Sequence, residues 1–433
     1  MTTNIIRGFI GIKSNDGHDA PILVVADILK KAGIEVILGG YDLTVDKFVE
    51  AIITEGVHFA GISSYNGGHI PFFIAVRDRL KIENYPFIHL IGGGGSTISP
   101  QDITLLESEN GIDKIFKSGE AGLSVPFIKD HYDFCNVPDS PEELIDGVKA
   151  GNKLALSAFV NLAEDKARLD SMLQEKIGRI NMNEGSEQFN QLLNEPLGAN
   201  GGLVKQALER SKYLGNCLAQ LEPSGNSHRS VVIGIAGRGG SGKSTLTDEL
   251  ILRYFNDPRT ENRKVAILAV DPTSATSGGA LLADRIAFMY ATDKNWVDTS
   301  RVFIRSMASR GAGNGISFAL PDTIKILKSA GYDIFIETYG TGQPDMGIVS
   351  LVDQAVYVTT PDLGGATQIA KEEMLQIPGT FVVLNKNELQ GARHVSSLLQ
   401  GSIKQENLFF TTAIEHNNPG VNQLYNALTR HFH

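Results

Sequence analysis

The chain has 433 residues, a formal net charge of −10 and a pI of about 5.5, a length that calls for two or three domains rather than one core. The acidic balance argues against a broad nucleic-acid-binding face, and no apolar run approaches the roughly 18–20 residues that span a bilayer. Two distant cysteines, Cys135 and Cys217, build neither a disulfide framework nor a zinc site and suit a reducing, cytoplasmic setting.

Short apolar runs predict strands over Ile6–Ile12, Glu35–Leu38, Phe59–Ser63, Phe87–Ile91 and Lys114–Phe116. Amphipathic segments between them, such as Ile22–Ala32 and Val45–Glu55, predict helices. This alternation implies an open parallel α/β sheet, and five strands suggest a flavodoxin-like (Rossmann-like) order, over 1–136. In such a sheet the loops after the strands gather on one edge, where ligands bind.

Three unusual loops occupy that edge: SNDGHDAP, SSYNGGH and GGGGST. Asp16 can hold one ring nitrogen of His18 and free the other for a metal. No second protein ligand stands at metal spacing, so a metal carried in its own macrocycle fits best. Ser63 offers a hydroxyl at the second loop. Gly92 and Gly93 open space for a flat group. Pro21 suits the first turn of the following helix, where its missing N–H costs nothing.

Residues 137–228 carry helix formers in polar runs, and a helical linker is expected there. From 229 to 433 the alternation resumes, with strands predicted at Val231–Ala236, Val265–Val270, Val302–Ile304, Ile334–Ile336, Ala355–Thr359, Phe381–Leu384 and Leu408–Thr411. GRGGSGKST follows the first of these. Gly237, Gly242, Lys243 and Ser244 fit the P-loop pattern, in which backbone N–H groups curl around phosphates, the lysine neutralises them and the serine ligates Mg²⁺.

Asp271 and Glu337 fall at later strand ends, where Mg²⁺ and its waters sit, and Asp284 follows on a loop or helix start. Gly340, three residues after Glu337, resembles the glycine of a GTPase switch whose N–H meets a γ-phosphate. Lys243, Glu337 and Gly340 are therefore the candidate catalytic residues. Asn385, Lys386 and Glu388 match the guanine-reading motif with Glu in place of Asp, which favours GTP over ATP. Thr411, Thr412 and Ala413 are placed as the other wall of the base pocket. Arg305 and Arg310 in RSMASR are open between a phosphate contact, an interdomain salt bridge and plain solvated charge.

The spacing of the first three loops resembles the cobalamin-binding pattern of mutases, Asp-x-His-x-x-Gly, then 41 residues, Ser-x-Leu, then 26–28 residues, Gly-Gly. Here residues 22–62 number 41 and residues 66–91 number 26; Pro21 and Tyr65 depart from the pattern. With SSYNGGH, GGGGSTISP, GRGGSGKSTLTDEL, VDPTSATSGGALLADRI and FIRSMASR, the chain resembles the fused isobutyryl-CoA mutases outside the linker. The resemblance implies a cobalamin-binding domain and a chaperone-type GTPase domain. His18 would be the lower axial ligand of adenosylcobalamin, Asp16 its partner, and Ser63, Gly92 and Gly93 the slot for the nucleotide tail. Lys243, Ser244, Asp271, Asp284 and Glu337 would serve GTP and Mg²⁺.

The acyl-CoA-binding barrel of that family is missing before His433, so a fragment or a stand-alone subunit with a separate barrel partner is expected. The resemblance implies GTP hydrolysis that gates cofactor loading or protection. A cobalamin carrier or sensor without part in isomerisation is the alternative, and a homodimer is compatible with both.

Overall fold

Alternation of buried strands and half-buried helices builds two parallel sheets. A computed structural model describes residues 6–131, 140–177, 201–221, 229–274, 276–310, 316–340, 343–363 and 373–431. In the first half, β1 (Arg7–Ile12), β2 (Glu35–Leu38), β3 (Phe59–Ser63), β4 (His89–Gly93) and β5 (Lys114–Phe116) alternate with α1 (Ala20–Lys31), α2 (Val45–Glu55), α3 (His69–Ile82) and α4 (Pro100–Glu109), and α5 (Ser124–Asp130) follows. Local signals set the helix ends. Pro21 lies in the first turn of α1. Thr44 caps α2, which stops at the left-handed Gly56. Ser99 and Asp102 form a capping box on α4.

Helices α6 (Pro141–Lys149), α7 (Lys153–Ile177) and α8 (Gly201–Gln220) come next. The linker expected over 137–228 is helical where described, but it is no spacer. Leu144, Phe159, Leu214 and Cys217 share one core with Val232, Leu268 and Phe303 of the second sheet. Cys217 is buried and its thiol is pushed up to about 11 by burial; Cys135 lies outside the described residues.

The second half contributes β6 (Val232–Gly237), β7 (Lys264–Asp271), β8 (Ala280–Leu282), β9 (Val302–Ala308), β10 (Tyr332–Glu337), β11 (Gln354–Thr359), β12 (Phe381–Leu384) and β13 (Leu408–Phe410), with α9 (Lys243–Asn256), α10 (Leu320–Ser329), α11 (Ala392–Gln400) and α12 (Pro419–Leu428). Seven of these strands form one sheet in the order β13-β12-β11-β6-β10-β7-β9. The other sheet runs β5-β4-β3-β1-β2-β8. Its first five strands have the flavodoxin-like order expected, but the sixth is a correction. β8 comes from the second half of the chain and pairs in parallel with β2, Glu35 opposite Ala280 and Ile37 opposite Leu282.

Most strand boundaries shift from expectation by one or two residues, and two of the differences have a clear physical cause. β4 starts at His89, not Phe87, because Phe87 is half exposed and the ladder instead runs through Gly92 and Gly93. β9 continues past Ile304 to Ala308, since Arg305 and Ser306, polar in sequence, are fully buried.

That burial rests on a charge cluster between the halves. The Arg7 guanidinium meets Glu35 at 2.8 Å, Glu55 at 3.3 Å and the Ser306 carbonyl at 2.8 Å. Arg310 grips Glu35 at 2.8 and 3.0 Å. Arg305 donates to Glu164, Asn161 and the Glu55 carbonyl. Of the three readings, the structure shows an ion pair across the halves for Arg310 with Glu35, and for Arg305 an ion pair with Glu164 of α7 and a bond across to the Glu55 carbonyl.

His58 borders this cluster and accepts from the Arg7 backbone N–H at 2.9 Å. Burial, then the Arg7 charge, pushes it down to about 3 from 6.5. The unfolded chain therefore binds a proton there that the folded chain refuses. Stability contributed by neutral His58 is full above 6.5 and is lost as pH falls toward 3. A melting-temperature series is expected to fall through that window, and His58→Gln is expected to flatten the slope by at most about 1.4 kcal/mol per pH unit. An unchanged slope would count against this assignment.

Candidate functional site

The first candidate site lies beyond the ends of β1, β3 and β4, where the sequence reading placed it. Asp16 is buried, and its Oδ1 lies 2.8 Å from His18 Nδ1. Its Oδ2 accepts from the backbone N–H groups of Tyr65 at 2.5 Å and Asn66 at 3.0 Å. Burial acts to raise this carboxyl, but the bonds from His18, Tyr65 and Asn66 win and hold it below the usual range. A carboxylate so fixed is placed to accept from Nδ1, the arrangement that turns Nε2 outward. The His18 ring is more than half exposed and leans on Tyr65, ring centres 5.6 Å apart. It can therefore take an external metal.

Beside it lies a cavity of about 390 Å³ lined by Ile10, Ser63, Tyr65, Gly92, Gly93 and Phe116 among others. Its glycines are required by close approach: a Cβ on Gly94 would sit 1.6 Å from the Ser64 carbonyl. The cavity is mainly apolar-walled, which suits a flat aromatic tail. Pro21 lines the same cavity and does not obstruct it. The loop also engages residues sequence reasoning missed. Asn15 N–H donates to Asp42 Oδ1 at 2.8 Å, and Asn66 Nδ2 donates to the Asn15 carbonyl at 2.6 Å. Nothing in the local pattern marks these pairings, because they join loops far apart in the chain.

The second candidate site is built on the end of β6. Gly237 and Gly242 bracket a loop that leads into α9, whose first residue is Lys243. Lys243 Nζ donates to the carbonyls of Gly237 at 3.0 Å and Arg238 at 3.1 Å, folded back on its own loop. Ser244 Oγ donates to Glu337 at 2.5 Å, and Thr247 to its other oxygen at 3.4 Å. Gly340 presses on the same loop. Its carbonyl accepts from Gly239 N–H at 3.0 Å, and a Cβ there would lie 2.3 Å from the Arg238 carbonyl carbon.

Asp271 and Asp284 complete this group. Burial first, then the charge of Asp284, holds Asp271 well above the usual carboxylate range; burial also raises Asp284. Burial and Asp284 raise Glu337 to about 7. Each of the three carboxyls resists ionisation, a cost that a divalent cation beside them would lower. Among the described residues no group of three or more His, Cys, Asp or Glu could hold a metal alone.

Asn385 ties the base-reading segment to the P-loop. Its Nδ2 donates to the Ser241 carbonyl at 2.9 Å, and its Oδ1 accepts from Thr411 Oγ1 at 2.9 Å and Ala413 N–H at 3.0 Å. Thr412 and Ala413 are buried beside it, whereas Glu388 is exposed and Lys386 half-buried at the rim. Arg305 and Arg310 do not join this site. The switch expected over Glu337–Asp345 includes Thr341 and Gly342, outside the described residues.

Comparison with known proteins agrees with this division. Residues 206–433 match the family model "Methylmalonyl Co-A mutase-associated GTPase MeaB", and residues 10–125 match the B12 binding domain. The fused isobutyryl-CoA mutase of Geobacillus kaustophilus is 34% identical over 430 residues, 95% of this chain and 35% of that one. That of Nocardia farcinica is 34% identical over 429 residues, with the same two shares. A putative GTPase of Pyrococcus horikoshii is 46% identical over 171 residues, 39% of this chain and 50% of that one. The chain thus spans about a third of the length of the fused mutases it matches. No described helix is long and apolar enough to cross a membrane. A P-loop with its carboxylate group, and an oriented histidine beside a glycine-floored cavity, occupy the two matched regions, and the chain belongs to the family of methylmalonyl Co-A mutase-associated GTPases, carrying a B12 binding domain ahead of the GTPase.

Proposed function

We propose that this chain is a GTP-dependent chaperone component of an acyl-CoA mutase, which holds adenosylcobalamin and gates its loading or protection. The observation that carries the reading is the Asp16–His18 pair at 2.8 Å beside a glycine-floored cavity, on the same chain as a P-loop. His18 Nε2 would be the axial ligand, with Asp16 holding the ring, and Ser63, Gly92 and Gly93 would line the slot for the cofactor's tail. When bound, the cofactor supplies radical chemistry by cobalt–carbon homolysis. The isomerisation itself needs a separate acyl-CoA-binding barrel.

On the nucleotide side, the chain's own groups do the work. Lys243 exchanges the Gly237 and Arg238 carbonyls for phosphate oxygens. Ser244 would leave Glu337 for Mg²⁺, and Asp271, Asp284 and Glu337 would ionise beside the cation. The N–H groups of the loop and of Gly340 face the γ-phosphate, so Gly239 must release the Gly340 carbonyl. Loss of γ-phosphate restores that contact, which makes the Glu337–Gly340 corner the switch. Glu388 offers two acceptors to the guanine edge, with Thr412 and Ala413 as the opposite wall. The reduced thiols suit the cytoplasm.

The test is made on the full chain. Adenosylcobalamin is expected to bind with a base-off spectrum, GTP to be hydrolysed only with Mg²⁺, and isomerase activity to appear when an acyl-CoA mutase barrel is added. Binding and hydrolysis without isomerase activity, across every acyl-CoA barrel tried, would establish the carrier or sensor reading instead.

A further inference from the structure

We propose that the segment from Asp271 to Arg285 is a coupling strand that reports the nucleotide state to the histidine loop; the proposal rests on the functional reading above. Its two ends are both candidate Mg²⁺ residues, Asp271 and Asp284. Between them the chain leaves the GTPase sheet, becomes the edge strand of the other sheet, and returns. Ala280 and Leu282 in that strand are fully buried, and the parallel register with β2 spans Glu35 to Ile37. A movement of Asp284 relative to Asp271 on cation or phosphate binding must therefore either shear this strand along β2 or carry β2 with it.

The strand continues into contacts that favour the second outcome. Arg285, next to Asp284, is anchored in the first half by Glu55 and Thr54, both at 3.2 Å. Ile286 packs at Gly40, just past the end of β2: a Cβ there would meet the Ile286 side chain at 3.3 Å. Two residues on, Asp42 Oδ1 accepts the Asn15 N–H at 2.8 Å, and the Asn15 neighbour is Asp16, which holds His18. The Ile12 N–H also donates to the Gly40 carbonyl at 3.0 Å. From the Mg²⁺ side to the axial-ligand side the route is thus Asp284, Ile286, Gly40, Asp42, Asn15, Asp16, each joined to the next by chain or by contact. Ile286, Asp42 and Asn15 are exposed, so the route runs along the surface over the edge of the sheet. Coupling between two sites is a free energy shared by both, so each ligand changes the other's affinity by one factor.

Asp42 is the place to cut the route. It has φ +57, a left-handed conformation that Gly and Asn adopt without strain. Asp42→Gly removes the acceptor without bending the backbone, whereas Asp42→Asn keeps an acceptor oxygen for Asn15. Neither residue lies in the binding machinery.

The experiment titrates adenosylcobalamin into the full chain holding Mg²⁺ with GDP or with a non-hydrolysable GTP analogue, and repeats the titration in the reverse order. Wild type is expected to show cobalamin affinities that differ by roughly 5–150-fold between the two nucleotides, with the same factor in reverse. Asp42→Gly and Ile286→Ala are expected to bring that factor below about two-fold while both ligands still bind, and Asp42→Asn to retain it. Wild type that binds both ligands independently overturns the coupling and the nucleotide gating of loading while both binding sites stand, and variants that keep the full factor overturn only the route through Asp42 and Ile286. Wild type that fails to bind one of them overturns the site reading and the coupling together.

Discussion

Replacing His18 with alanine is expected to abolish the histidine-ligated, base-off spectrum of bound cobalamin. Affinity should fall by more than the roughly 10–100-fold that loss of an outer-shell partner costs. The ring is the exposed group of the pair, and the buried Asp16 carboxylate keeps its bonds from the Tyr65 and Asn66 N–H groups, so the fold is expected to stand. Asp16→Ala separates the roles. It leaves the imidazole in place but frees its tautomer and orphans the Tyr65 and Asn66 N–H groups that now point at Oδ2. A drop of roughly 10–100-fold with the spectral shift retained at saturation is expected. Asp16→Asn should fall between wild type and Asp16→Ala, since an amide oxygen can accept from His18 but its NH₂ cannot accept from the two backbone donors. Absorbance titration checks all three. An unchanged affinity and spectrum in His18→Ala would remove the axial assignment.

Arg305→Ala is expected to produce the largest stability loss. Arg305 is fully buried, and it donates to Glu164, Asn161 and the Glu55 carbonyl. Breaking a buried pair on one side costs about 3–5 kcal/mol, because the remaining charge is stranded. The lower end is expected here, since Arg7 and Arg310 still face Glu164 at 3.7 and 3.5 Å. Even about 3 kcal/mol is a large share of an ordinary domain's 5–15 kcal/mol. A chain with two sheets need not unfold in one step, so the first transition in denaturant is the one to follow. Removing Glu164 as well should recover part of the loss in a double-mutant cycle. A coupling energy of zero would show that the pair contributes nothing to holding the halves together.

These two sites differ in how legible they were. His18 and the P-loop are local: a handful of neighbours in the chain, with fixed spacings, carry the chemistry. Loop lengths between strands place them on a sheet edge without knowledge of packing. Arg305 is the opposite case. In sequence it is a charge that ends an apolar run, and only its partners, 141 to 250 residues away, make burial affordable in free energy. Asn385 is similar. Its motif predicted base reading, but its tie to Ser241 and Ala413 depends on three loops meeting.

Composition, strand–helix alternation and motif spacing by themselves determined two parallel α/β sheets and the helix starts near Pro21 and Val45, and named the residues of both candidate sites, because each follows from short-range sterics and periodicity. Tertiary structure alone decided that the described helices of 141–177 and 201–220 complete the core of the second sheet, that Arg7, Arg305 and Arg310 bury their charge between the halves, and that three residues between two carboxylates become the edge of the other sheet. A strand of three residues has too little pattern to announce itself. Its partner, β2, lies some 245 residues earlier and is chosen by an open sheet edge that exists only once the chain has folded.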